Sequence, residues 1–94
     1  MVGSQIAVIW TDYLKFRAAM RGYELATIEK IVSGAEERYL DTVTLRTVAI
    51  GRHGPTLVLV PYEVGELGLT PITIHATSRQ QVNFRLKTGS YANG

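Results

Sequence analysis

Two histidines and a tyrosine are the side chains of this sequence best suited to moving a proton near neutral pH, and His75 leads them. It lies in Thr70–Gln81, where Ile72, Ile74 and Ala76 alternate with Thr73 and His75, the period-two pattern of a half-buried strand. Thr77-Ser78-Arg79-Gln80 then fits a capping box, so a helix is expected to start about two residues beyond the imidazole, with Arg79 in its first turn. Helix-terminal N–H groups, a guanidinium and an imidazole can converge at such a junction, which suits phosphate handling. His53 and Tyr62 are the secondary acid/base candidates, and Arg46, Arg52, Arg79 and Lys87 are the candidates for gripping phosphate. Together these are the types that metal-independent RNA cleavage needs. RNA supplies the 2′-hydroxyl nucleophile, and the enzyme adds a base, an acid and cations for the transition state. The same strand Arg and Tyr residues suit RNA binding without chemistry. A lone strand histidine is more often a hydrogen-bonded structural residue than a catalyst, Tyr62 after Pro61 more often a core residue, and Arg52 beside His53-Gly54 can be a loop cation.

Composition narrows the classes. Ninety-four residues make one domain, with 46% hydrophobic residues and no apolar run near the ~18 residues that span a membrane. The start, Met1-Val2-Gly3-Ser4-Gln5, lacks the basic and long apolar regions of a signal peptide, so a cytoplasmic protein is expected. Without cysteine there is no disulfide, thiol nucleophile or Cys-ligated metal, and the two histidines lack metal-site spacing, so no metal and no cofactor are expected. The net charge is +2 but unevenly spread: residues 1–45 carry five Lys/Arg against six Asp/Glu, and residues 46–94 five against two. Seven of the ten basic residues are Arg, which favours an anionic partner such as RNA, or simply a solvated surface.

The elements that must position these residues follow from period and punctuation. Ile6–Trp10 reads as a first strand, and Thr11 as the N-cap of a helix to about Arg21, stopped by Gly22, with Tyr13, Phe16 or Arg17, and Met20 as its core stripe. A second helix is expected over about Glu24–Val32. Strands are expected at Arg38–Asp41, Val43–Arg52 and Thr56–Tyr62, the last two joined by the turn His53-Gly54-Pro55, with Pro61 marking an edge or bulge. Gly65–Thr70 reads as a loop, followed by the His75 strand and a helix from about Ser78 to Lys87, with Val82 and Leu86 inward. Residues 6–88 would form the ordered core and Gly89–Gly94 a frayed tail. The order β-α-α-β-β-β-β-α implies an α+β fold, two N-terminal helices packed on an antiparallel β-sheet with a C-terminal helix.

That order resembles the small BrnT-like and RelE/ParE-superfamily toxins of bacterial toxin–antitoxin modules, over about Ile6 to Lys87. The residues that carry the resemblance are Arg21-Gly22, Arg38-Tyr39, Arg46, Ile50-Gly51-Arg52, Val58 to Tyr62-Glu63, and Ile72 to Ala76. It implies a compact RNA endonuclease, working on free or ribosome-bound RNA and silenced by a cognate antitoxin. Arg46, Arg52 and Arg79 would be its cationic groups and Tyr62 its aromatic strand end. Met20-Arg21-Gly22 and His75-Ala76-Thr77 stand where BrnT-like chains tend to have Lys-His-Gly and Ser-Ala-Arg. The alternative is a non-catalytic RNA-binding or regulatory protein of the same fold. A homo-oligomer is compatible with either, and no membrane partner is expected.

Overall fold

A computed structural model describes residues 7–93 of the chain, so the expectations for residues 1–6 and for Gly94 lie outside the described residues. Helix α1 (Asp12–Arg21) starts where the Thr11 hydroxyl accepts the Leu14 amide and stops at Gly22, whose φ of 76° suits a residue without Cβ. Helix α2 spans Leu25–Gly34 and buries Ile28, Ile31 and Val32. Five strands follow, β1 (Glu37–Asp41), β2 (Thr47–His53), β3 (Thr56–Gly65), β4 (Gly68–Pro71) and β5 (His75–Ala76). Helix α3 (Arg79–Thr88) and a short strand β6 (Tyr91–Ala92) complete the chain. The antiparallel sheet runs β4-β3-β2-β1-β6, with β5 also paired to β3.

Both faces of the sheet are covered, and the period-two alternation of β2 and β3 assigns residues to each. Ala49, Val58, Val60 and Tyr62 pack with Leu14 and Ala18 of α1 and Ile28, Ile31 and Val32 of α2. Ile50 and Leu57 pack instead with Val82 of α3, flanked by Tyr39, Leu59 and Leu86. The fold is α+β, with two helices before the sheet and one after it.

Several expectations need correction, among them the loop expected over Gly65–Thr70, most of which instead ends β3 and starts β4. The stripe expected to face the core from α1 faces out: Tyr13, Phe16 and Met20 are 56%, 61% and 69% exposed, while Leu14 and Ala18 are buried. Leu14 and Ala18, spaced four apart, instead join the core cluster with Ile28, Val58 and Val60. Of the described residues of the first strand, only Val8 pairs, in an isolated parallel bridge to Leu69. Strand β2 begins later than alternation suggests, because the Asp41 carboxylate accepts the Val43 and Thr44 amides (2.9 and 3.3 Å) and Leu45 turns at φ 64°. That side-chain-built turn consumes residues 42–46. The tail is not frayed throughout. Tyr91 opposes Asp41, stacks on Tyr39 at 5.9 Å and is almost fully buried.

The remaining difference sets the site. Pairing along β3–β4 runs Tyr62↔Pro71 and Glu63↔Thr70, but along β3–β5 it runs Leu59↔His75 and Val58↔Ala76. Continuous pairing would put His75 opposite Val58, so one extra residue is inserted between Pro71 and His75. Pro61 supplies the reason: its carbonyl accepts the Ile72 amide at 2.8 Å, and it has no N–H to return the bond. The neighbouring chain leaves the ladder there and rejoins it one residue out of phase. A one-residue slip exchanges the two faces of a strand. His75 therefore shares the face of Leu59 rather than that of the core residue Val58.

Candidate functional site

Helix α3 covers only part of its sheet face, and beside it lies an open groove of about 980 Å³. Arg46, Val48, Leu59 and Pro61 form its floor, Gln81, Phe84 and Arg85 its helical wall, and His75 one end. The helix is held by Ser78, whose hydroxyl accepts the Gln81 amide at 3.1 Å, one residue later than the capping box expected.

His75 is half-buried, and its one hydrogen bond is to Arg17, with Nη2 3.3 Å from Nδ1. A guanidinium has only donors, so Nδ1 accepts, the ring is neutral and Nε2 carries the proton. The ring's pKa lies below its ordinary 6.5, first because burial disfavours the cation and then because the charges of Arg17 and Arg21 repel it. Arg17 Nε is buried without a hydrogen-bond partner among the described residues, as is the hydroxyl of Thr73 two residues before His75. The Arg17 guanidinium thus meets an imidazole that also feels the charge of Arg21, and one Arg17 donor is sealed from solvent. Such a group costs stability wherever nothing meets it.

This electrostatics gives a measurable pH dependence. His75 binds its proton less readily folded than unfolded, so its effect on stability is absent above about pH 6.5 and becomes a loss as pH falls through 6.5 toward the folded pKa. A proton NMR titration should place the His75 midpoint below 6.5. A midpoint above that would mean the ring donates to a carboxylate rather than facing Arg17.

The other expected site residues stand elsewhere. His53 Nε2 accepts the Glu24 amide at 3.0 Å and its ring meets Tyr23 edge-on, tying the β2–β3 hairpin to the α1–α2 junction. Tyr62 is in the core, its hydroxyl accepting from Arg38, which also donates to the carbonyls of Val32 and Ala35 at the end of α2. Neither joins His75 in a hydrogen-bonded set. Arg46 lines the groove and pairs with Glu63 at 3.2 Å. Arg79 makes a two-pronged bond to Glu37 (2.6 and 2.8 Å), which holds that carboxyl below its usual range and pins α3 to β1. Arg52 donates to the Pro55 carbonyl in its own turn, and Lys87 is exposed in the last turn of α3.

The sequence reading missed Arg17, Arg21 and Arg85. Arg85 sits 5.3 Å over the Tyr91 ring on the groove wall. Arg17 and His75 are 58 residues apart, so no local spacing connects them. The signal that existed was the phase of α1: with Leu14 and Ala18 inward, Arg17 falls at the edge of the buried face. Among the described residues, no three His, Cys, Asp or Glu side chains gather as a metal site would need, and no helix is long and apolar enough to cross a membrane. Comparison of the chain with protein-family models, with curated proteins and with solved structures finds no match in any of the three.

Proposed function

We propose that the protein binds RNA in the groove beside α3, with one phosphate held by Arg17, Arg21 and the Nε2–H of His75. The observation that carries this reading is the Arg17–His75 contact, with Arg17 Nε left without a partner among the described residues. A phosphate oxygen would accept from the guanidinium and from the imidazole Nε2–H in charge-assisted hydrogen bonds. Arg46 and Arg85 continue the positive lining, and Phe84 on the rim offers a face to a base. A cytoplasmic RNA-binding protein is the corresponding physiological reading.

The second reading is metal-independent cleavage by a toxin-like nuclease that a cognate antitoxin would silence. It is favoured by the depressed pKa of His75, which keeps the imidazole neutral at pH 7. A phosphate that drew Arg17 away would free Nδ1 to take the 2′-hydroxyl proton. His53 and Tyr62 being engaged elsewhere leaves this centre without a second acid/base residue, which is why binding is put first.

EDTA-treated protein mixed with a labelled single-stranded RNA, read by anisotropy and by gel, separates the two. Binding that weakens steeply with salt and leaves the RNA whole supports the first reading. Cutting that a 2′-deoxy substitution stops supports the second. No binding at low salt removes both.

A further inference from the structure

We infer that α1 extends this site into a track for single-stranded RNA, with bases stacked on Tyr13 and Phe16 while Arg17 and Arg21 hold the backbone; the inference rests on the RNA-binding reading. Tyr13, Phe16 and Met20 recur at three- and four-residue spacing and stand 56%, 61% and 69% exposed, one continuous apolar stripe along a ten-residue helix. A stripe of this kind on a small domain marks a binding surface. Its charge setting indicates which occupant fits. The helix carries Lys15, Arg17 and Arg21 against Asp12 alone, which suits a polyanion.

The stripe is also continuous with the phosphate site. Arg17 follows Phe16 and lies one turn beyond Tyr13, and its guanidinium leaves the helix to reach His75. A strand whose phosphate sits at His75 therefore passes beside both rings. Residues three apart on a helix are roughly 5–6 Å apart, so the two rings face neighbouring nucleotides rather than one. A duplex keeps its base faces stacked inside and cannot use such a platform, whereas unpaired bases can. Stacking tolerates any base, so the track implies strandedness rather than sequence preference.

The test is anisotropy with a dye-labelled single-stranded oligouridylate and with a blunt RNA duplex of equal length. The proteins are wild type, the double variant Tyr13→Ala/Phe16→Ala, and Phe16→Trp. Both rings are exposed, so the variants should melt as wild type does. Wild type should prefer the single strand, the double variant should lose about tenfold or more of that affinity, and Phe16→Trp should keep or raise it. Duplex affinity should not change. Equal wild-type affinity for strand and duplex, or an unaltered double variant, would overturn the track while leaving RNA binding in place. A wild type that binds neither RNA would overturn both readings. Light scattering that showed a dimer dissolved by the double variant would assign the stripe to a second copy of the chain instead.

Discussion

An Arg17→Met protein is expected to bind single-stranded RNA about 10–100-fold more weakly than the parent, yet to melt no lower. The affinity loss follows from removing charge-assisted hydrogen bonds worth about 1.5–3 kcal/mol and one phosphate contact, which should also flatten the salt dependence by about one unit of slope. The stability expectation has the opposite sign. Arg17 Nε is buried with no partner and Nη2 faces an imidazole whose protonation it opposes. Removing that group relieves a desolvated donor, and methionine keeps the apolar stem that packs beside the sheet. His75 should then titrate higher, but only part of the way to 6.5, because burial is the larger cause of its depression and remains. Unchanged affinity would take Arg17 out of the site. A large fall in melting temperature would make it a structural residue whose partner lies among groups now counted as unpaired.

What the sequence made legible was local. Thr11 and Gly22 announce the ends of α1 because a cap and a left-handed stop act within a few residues. His53-Gly54-Pro55 announces the β2–β3 turn for the same reason, and Gly54 does adopt a positive φ of 60°. The α+β arrangement followed from the change of period after α2. The facing of α1 was not legible, since Tyr13, Phe16 and Met20 have a helical spacing as good as that of Leu14 and Ala18. Only the closeness of helix to sheet decides between them. The tail was misread because Tyr91 gains its burial from Tyr39 and Arg85, which sequence distance hides. His75 was legible as a strand residue just before a helix start, but its contact with Arg17 was not. Its neighbour of consequence is on α1, and its face depends on the residue inserted opposite Pro61.

Gly68→Ala is expected to cost about 2–6 kcal/mol and to weaken RNA binding through the edge strand β4. Gly68 has φ 147°, and a Cβ there would lie 2.1 Å from the Ala7 carbonyl oxygen. That oxygen accepts the Leu69 amide at 2.9 Å, and the Ile9 amide donates to the Leu69 carbonyl at 2.8 Å. The substitution adds backbone strain of about 1–3 kcal/mol and forces the segment off β4, losing two hydrogen bonds of about 0.5–1.5 kcal/mol each. For a domain of this size about 4–8 °C of melting temperature goes with each kcal/mol. Trp10, the chain's sole tryptophan, packs against the core immediately after this segment, so its emission should shift to the red as the segment detaches. Because Thr11 and α1 follow directly, the helix that carries Arg17 loses the anchor at its start. An unaltered emission spectrum with an unaltered melting temperature would show that the Ala7–Leu69 pairing does not hold α1. A red shift with full RNA affinity would show instead that α1 keeps its seat through Leu14 and Ala18 alone.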